Sequence, residues 1–295
     1  MIRNVGEVEE LVAEHEAAGR RFEAGGVGSF TREQGSGPAV VLVHGVPTSS
    51  FLYRKVLPLV AAEDLRAVAF DFPGLGLADR PDDFDYSWSG LARFMAEAID
   101  ALGIERCHLV VHDIGGPIGC EWAVRHPDRV LSLTALNTLL DLTTFRRPWS
   151  MQPFAMKVFG EIQLRTMPRF VFSEIFYLQG VKDRSAVSRA ETYAYYELLK
   201  RGDGGRNFLK VMRGFELTEE KQQLLWDGLA AERRPFPAQV VWGREDPALP
   251  EQRRIGVQRA LGVDDPILLP AKHFLQEDHA PAITAAIAAI AQRTG

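Results

Sequence analysis

The chain of 295 residues is long enough to enclose a large core, and its 46% hydrophobic and 25% charged residues are typical of a globular domain. Its formal net charge of −5 is small for this length, and no stretch of five or six basic residues occurs. Charge and composition therefore argue against nucleic acid or an anionic membrane surface as a partner.

Short apolar segments rich in β-branched residues alternate along the chain with longer amphipathic segments. Apolar runs without in/out alternation suit strands buried on both faces, and the helices between them supply the crossovers that parallel strands need. We therefore predict a doubly wound, mostly parallel α/β sheet. The predicted strands are Ala39–His44, Ala67–Asp71, His108–His112, Val130–Leu136, Gln239–Gly243 and Ile267–Leu269, and the helices between them include Trp88–Leu102 and Ile114–His126.

Residues 138–225 interrupt this alternation, because they are rich in aromatic side chains and contain no clear strand. They predict a helical lid inserted after a strand, over the carboxyl-terminal edge of the sheet where open α/β folds bind ligands. Most of the aromatic side chains are expected to pack the lid's own core. The predicted domains are thus a core of residues 1–137 and 226–295 and a cap of residues 138–225.

A nucleophile elbow is predicted around Asp113, where an apolar strand runs into Ile114, a glycine pair and a helix. Such a turn lifts one side chain above the sheet, and its small neighbours make room for it. Val111 stands where the usual pattern has a small residue. An aspartate here would also suit the N-cap of the following helix, so two further features are needed to favour catalysis.

The first feature is the turn that follows the strand Ala39–His44. The turn Gly45-Val46-Pro47 can present the N–H of Val46 toward the elbow, and the N–H of Ile114 comes from the start of the elbow helix. Two converging backbone donors would form an oxyanion hole. A plain strand-to-helix turn is the alternative.

The second feature is a pair of loop residues near the carboxyl terminus, Asp246 and His273, each following a predicted strand. With Asp113 they complete a triad in the order nucleophile, acid, histidine. Glu245 is the alternative acid. Three other histidines are weaker candidates for the base, namely His112, His126 and His279.

Four motifs together resemble the haloalkane dehalogenase and epoxide hydrolase branch of the α/β-hydrolase superfamily. The resemblance covers nearly the whole chain except the lid, and it implies the α/β-hydrolase fold and an aspartate nucleophile. The motifs are His44–Ser50, Asp71–Gly76, His112–Gly116 and His273–Asp278.

An aspartate nucleophile indicates attack on a saturated carbon. A carboxylate is already ionised at neutral pH and forms an ester, which water can hydrolyse. Serine would form an ether at the same carbon, whose hydrolysis an oxyanion hole cannot help. In this scheme Asp113 displaces the leaving group, and His273, oriented by Asp246, then activates water against the ester.

The leaving group is predicted from what the resemblance implies about the N–H groups that stabilise a departing halide. Haloalkane dehalogenases place a tryptophan after the nucleophile, and many add an asparagine or a lid tryptophan. Here Ile114 and Val46 occupy the first two positions, and only Trp149 remains in the lid. The arginine that follows the nucleophile in fluoroacetate dehalogenases is absent too.

Lid tyrosines protonate the alkoxide in epoxide hydrolases. The candidates here are Tyr177, Tyr193, Tyr195 and Tyr196, of which the last three lie too close together on one predicted helix to share a face. Epoxide hydrolysis is therefore favoured over dehalogenation. The residues predicted to contact substrate are His44, Asn137, Trp149, Tyr177, Tyr193 and Tyr196. For Asn137, which ends the strand before the lid, a hydrogen-bonded turn residue is the alternative.

Two further functions stay open. An ester or lactone hydrolase could use Asp113 as a general base, and a binding protein could keep the fold without turnover. No phosphate-binding loop or metal-ligand spacing occurs, so no cofactor and no metal are expected, and the predicted partners are a small apolar organic substrate and water. Cys107 and Cys120 are expected to be reduced core residues. The first thirty residues lack the apolar stretch of a secretory signal, and no run of eighteen apolar residues occurs, so the cytoplasm is the expected location.

Overall fold

An eight-stranded sheet forms the centre of the molecule, whose computed structural model describes residues 3–294. The strands are β1 (Arg20–Ala24), β2 (Val27–Gln34), β3 (Ala39–Val43), β4 (Arg66–Phe70), β5 (Cys107–Asp113), β6 (Val130–Thr138), β7 (Ala238–Gly243) and β8 (Ile267–Leu269). Their spatial order is β1-β2-β4-β3-β5-β6-β7-β8. β1 and β2 pair antiparallel to their neighbours, and the other strands are parallel. The predicted mostly parallel α/β sheet is confirmed.

All six predicted strands are present, each with ends within two residues of the prediction. The antiparallel hairpin of β1 and β2 was not predicted. Most residues of β1 are exposed, so this edge strand has no continuous apolar run to announce it. Inside the sheet, β3 is fully apolar and is buried along its entire length.

Helices cover the sheet and form the insertion between β6 and β7. The α-helices are α1 (Arg3–Ala17), α2 (Val56–Ala61), α3 (Trp88–Ala101), α4 (Gly115–Arg125), α5 (Gln152–Ala155), α6 (Phe159–Thr166), α7 (Arg169–Gly180), α8 (Arg189–Lys200), α9 (Arg206–Arg213), α10 (Glu219–Leu229), α11 (Glu251–Leu261), α12 (Leu275–Asp278) and α13 (Ala280–Gln292). Short 3₁₀ turns lie at Ser50–Tyr53, Pro127–Arg129 and Arg184–Ala186. Within residues 3–294, none of the helices has the length and apolar character to cross a membrane.

The insertion after β6 consists of helices α5 to α9 with no strand, as a helical lid requires. The predicted lid boundary at residue 225 falls inside α10, which packs on α4. Lys221 of α10 forms a buried ion pair with Glu121 of α4. Because α10 buries its cation against the core, we propose that the lid ends before this helix.

A buried ion network joins the lid to the core beside the loop that carries His273. Arg54, which follows the first 3₁₀ turn, pairs with Glu277 of α12 at 2.7 Å and with Glu191 of α8 at 2.5 Å. Lys55 lies 2.8 Å from Glu277, and Tyr195 of the lid donates to the same carboxylate. Three donors on one fully buried carboxylate offset the cost of its desolvation, so the network holds α8 against the core.

We expect Glu277→Gln to destabilise the fold by about 3–5 kcal/mol, because it leaves the Arg54 and Lys55 charges without their buried partner. The measurement is the free energy of unfolding in urea at neutral pH. Asp82→Asn removes one partner of the exposed Lys210 pair and serves as the control, for which little change is expected. Equal stability of Glu277→Gln and the parent protein would contradict the structural role of the network.

Candidate active site

Asp113 stands at the turn between β5 and α4 with a φ of +53°, a left-handed conformation that non-glycine residues rarely adopt. Thr138 Oγ1 donates to the Asp113 carbonyl oxygen at 2.5 Å and braces the turn. A Cβ on Gly115 would lie 2.6 Å from the His44 carbonyl oxygen, so only glycine lets α4 start this close to the end of β3. The strained turn is the geometry of a nucleophile elbow.

The Asp113 side chain does not cap its helix. The N-cap position of α4 is Ile114, with no side-chain hydrogen bond there, and Asp113 Oδ1 instead accepts the N–H of Val46 at 2.8 Å. Burial raises the pKa of Asp113, but His273, His112 and the N–H of Ile114 outweigh it and hold this pKa below its ordinary value. The carboxylate is therefore ionised at neutral pH, with the two predicted oxyanion donors beside it.

His273 lies between two carboxylates. Its Nε2 is 3.6 Å from Asp113 Oδ2, which is longer than a hydrogen bond, and its Nδ1 is 2.8 Å from Asp246 Oδ2. Burial lowers the pKa of His273, but the charges of both carboxylates and the hydrogen bond to Asp246 dominate and raise it to about 10. The structure thus brings the three residues of the predicted triad together.

Asp246 is held by four donors in addition to its burial. Its Oδ1 accepts the N–H groups of Ala248 and Leu249, and its Oδ2 accepts His273 and the Asn137 amide at 2.7 Å. Asn137 Oδ1 also accepts the N–H of Gly243 at 2.7 Å, which ties the acid loop to β7. Asn137 therefore positions Asp246. It is fully buried and does not line the cavity, which is contrary to the prediction that it contacts substrate.

The raised pKa of His273 makes stability pH-dependent. A group whose folded pKa is about 10 against 6.5 unfolded contributes stability that is complete below pH 6.5 and is lost as pH rises toward 10. We expect the free energy of unfolding to fall across this window more steeply in the parent protein than in His273→Gln. Parallel slopes in urea titrations of the two proteins would contradict the ion triad.

The alternative acid and bases are occupied elsewhere. Glu245 is exposed and pairs with Lys182 of the lid loop. His112 is buried beneath the site with its Nε2 2.9 Å from the His273 carbonyl oxygen, and burial lowers its pKa to about 3. His126 ends α4 at the surface, and His279 bonds Asp278. Neither of the last two lines the cavity above Asp113.

That cavity lies between the core and the lid. Asp113, Val46, Ile114 and His273 form its floor. Apolar side chains form most of its wall, among them Phe145, Phe154, Phe172, Phe176, Phe208 and Phe215. Such a lining suits an apolar substrate body held over the carboxylate.

The lid residues that were predicted to contact substrate lie outside the cavity. Trp149 is 65% exposed. The hydroxyl of Tyr177 donates to the Val187 carbonyl oxygen at 2.7 Å, and that of Tyr196 donates to Met167 at 2.8 Å. None of these three residues lines the cavity, which corrects the prediction that they contact substrate.

Tyr193, Tyr195 and His44 do not line the cavity either. The Tyr193 ring packs under the Arg169 guanidinium, 4.7 Å from its centroid, and Tyr195 bonds Glu277. His44 is fully buried: its Nε2 accepts the N–H of Phe72 at 3.2 Å, and its Nδ1 bonds its neighbour's carbonyl oxygen. His44 braces the turn that presents Val46 and is not a substrate contact.

Three polar residues of the lid that the sequence did not single out line the cavity: Arg147, Ser150 and Gln179. Ser150 Oγ donates to Gln179 Oε1 at 2.6 Å, so the Gln179 amide turns its Nε2 away from Ser150, and this Nε2 has no protein partner within residues 3–294. The Gln179 carbonyl oxygen faces the His273 N–H at 3.5 Å, which places the residue beside the triad. A lone glutamine in a helical pattern carries no sequence signal for such a role.

The described part of the chain contains no cluster of three or more His, Cys, Asp or Glu side chains placed to hold a metal ion.

Comparison with known proteins agrees with the geometry. A family model described as the alpha/beta hydrolase fold matches residues 38–280. Haloalkane dehalogenase 2 of Mycobacterium tuberculosis is 33% identical over 273 residues, which cover 86% of this chain and 88% of that protein.

Two solved structures share the fold at lower identity. Haloalkane dehalogenase DbeA from Bradyrhizobium elkani superposes with a TM-score of 0.77 at 23% identity, covering 93% of this chain and 99% of that one. The epoxide hydrolase CorEH gives a TM-score of 0.74 at 16% identity, with 93% and 98% covered. The chain is therefore a hydrolase of the α/β-hydrolase superfamily and belongs to the branch that contains the haloalkane dehalogenases and epoxide hydrolases.

Proposed function

We propose that this protein hydrolyses a carbon–halogen bond at a saturated carbon through an ester on Asp113. The observation that carries the proposal is the set of polar groups at the cavity surface. An ionised carboxylate and its histidine form the floor, and the polar side chains that the lid contributes to the lining are Arg147, Ser150 and Gln179, with no tyrosine among them. The 33% identical relative from Mycobacterium tuberculosis carries the name of a haloalkane dehalogenase.

The choice of leaving group depends on whether the departing group needs a proton. An alkoxide released from an epoxide is a strong base and needs an acidic hydroxyl, whereas a halide leaves as a stable anion and needs only N–H donors. The hydroxyls of Tyr177, Tyr195 and Tyr196 are bonded to other acceptors, and burial raises the pKa of Tyr177 and Tyr195. Dehalogenation thus replaces epoxide opening as the favoured function.

In the first step Asp113 Oδ2 attacks the carbon that carries the halogen. A C–O bond forms, the carbon–halogen bond breaks, and the electron pair leaves with the halide, which accepts a hydrogen bond from the Gln179 Nε2–H group. Asp113 Oδ1 already receives the Val46 N–H at 2.8 Å, which leaves the other oxygen free to react.

In the second step His273 takes a proton from water, and the hydroxide adds to the Asp113 ester carbonyl. Esterification has removed one of the two carboxylate charges that raise the pKa of His273, so the imidazolium releases its proton to solvent and the neutral imidazole becomes available as a base. The oxyanion forms at the N–H groups of Val46 and Ile114. Collapse returns the carboxyl group, the alcohol leaves with the proton from His273, and the acid proton passes to His273, which restores the resting pair.

The test offers terminal bromoalkanes and epoxides of matched chain length and measures bromide and diol. Bromide release with little diol supports the proposal, and diol with no bromide would favour an epoxide hydrolase. A single turnover in ¹⁸O-labelled water is expected to label Asp113 and not the alcohol. Label in the alcohol would overturn the ester and make Asp113 a general base.

A further inference from the structure

Arg147 is the one full cation among the described residues that line the cavity, apart from the protonated His273. Its Nη2 donates to the Met212 carbonyl oxygen at 3.0 Å, and its guanidinium lies over the Phe215 ring, 4.4 Å from the centroid. These contacts fix the side chain at the wall. They leave Nη1 without a protein partner within residues 3–294, and the buried Nε has none either.

No carboxylate in the described part of the chain lies within 4 Å of this guanidinium. Burial lowers the pKa of Arg147, and no negative group offsets the effect, in contrast to Arg54 with its two glutamates. A half-buried cation against an apolar wall gains most from an anion that approaches through the cavity. The protein does not supply that anion.

Arg147 is also separate from the reacting groups. No hydrogen bond or ion pair among residues 3–294 joins it to Asp113, His273 or Gln179, and its own contacts are to Met212 and Phe215, near the end of α9 and beyond. Apolar side chains make up most of the rest of the cavity lining. A molecule that satisfies both needs a reactive carbon at one end, an apolar middle and an anion at the other.

We propose that Arg147 binds the carboxylate of the substrate, and that the substrates are halogenated carboxylic acids with an apolar chain between the two functional groups. The substrate class rests on the proposed dehalogenation. Guanidinium groups recognise carboxylates through paired N–H donors, and the unpartnered Nη1 of Arg147 provides the donor for this contact.

The experiment compares ω-bromoalkanoates of increasing length with their methyl esters, using bromide release by the full-length protein. The parent protein is expected to prefer the acids. Arg147→Met is expected to lose about 30-fold in kcat/KM for the acids, mainly through KM, and little for the esters, since about 2 kcal/mol is the lower range for truncating a buried charge partner. Arg147→Lys should retain part of the preference.

Arg146→Met is the matched control, because Arg146 is adjacent in sequence and exposed and does not line the cavity. It removes the same charge and is expected to leave the preference unchanged. Equal kcat/KM for acids and esters in the parent protein would overturn the proposal. An equal loss in Arg146→Met would overturn it as well, because it would indicate a general field effect.

A binding measurement separates this proposal from the proposed function. Calorimetric titration with halogen-free alkanoates needs no turnover, and binding to the parent protein but not to Arg147→Met is expected. If that pattern is found and no bromide is released from any substrate, the carboxylate site stands and dehalogenation fails. If the alkanoates bind both proteins equally or neither, the carboxylate site is refuted whatever the protein hydrolyses.

Discussion

Replacement of His273 by glutamine is expected to stop the protein after its first step, with the substrate carbon esterified to Asp113. The attacking carboxylate is ionised without help from a base, so the ester still forms, whereas hydrolysis needs the imidazole to deprotonate water. Loss of a triad base lowers turnover by about 10⁴-fold or more. One equivalent of bromide per enzyme should therefore appear in a burst, followed by almost no further release.

Mass spectrometry of the tryptic peptide that contains Asp113 is the direct measurement, and it should find the mass of the alkyl group added. Asp113→Asn, combined with the His273 change, is the control and should give neither burst nor adduct, because a neutral amide is a poor nucleophile. An unmodified peptide after the burst, or an adduct in the asparagine variant, would show that another group attacks.

The second large effect is expected from Gly45→Ala. A Cβ on Gly45 would lie 2.5 Å from Asp113 Cβ and closer still to its Oδ1, far inside the contact distance of carbon atoms. Gly45 does not have a positive φ, so its backbone tolerates alanine and the clash falls on the nucleophile. A displacement of about 1 Å costs about 100-fold in rate, and a misplaced Val46 N–H removes about another 100-fold or more.

The measurement is kcat for the best bromide-releasing substrate together with the thermal unfolding midpoint. Gly6→Ala is the control, because a Cβ at Gly6 of α1 meets no atom within 4 Å. Gly45→Ala is expected to lose activity far beyond any change in the unfolding midpoint. Normal turnover would mean that Asp113 has room to move aside, and the rigid elbow would be the wrong description.

The three residues of the proposed triad were predictable because each lies at or after the carboxyl end of a strand. Strands rich in β-branched residues can be recognised from the local sequence, and parallel strands bring their carboxyl ends to one edge of the sheet. This rule predicts that the loops of Asp113, Asp246 and His273 meet without any knowledge of distances. The preference for Asp246 over Glu245 also agrees with the structure, in which Glu245 turns outward to Lys182.

The lid was not predictable in the same way. Its helices are aromatic on several faces, so periodicity does not show which side chains face the cavity and which pack against the core or reach solvent. Trp149 and the tyrosines were chosen for their chemistry alone. In the structure the hydroxyls of Tyr177, Tyr195 and Tyr196 donate to other acceptors and Trp149 is exposed, and the lid lines the cavity with Gln179 and Arg147 instead.

The amino-acid sequence by itself determined the α/β sheet, the elbow at Asp113 and the triad, since all three depend on local patterns and on the chain order of parallel strands. Only the tertiary structure decided which groups surround the reacting carbon, because the lid's contacts come from packing between residues far apart in the chain. That difference moved the proposed leaving group from an epoxide oxygen to a halide. It also revealed Arg147, a cation on the cavity wall with no anionic partner within residues 3–294.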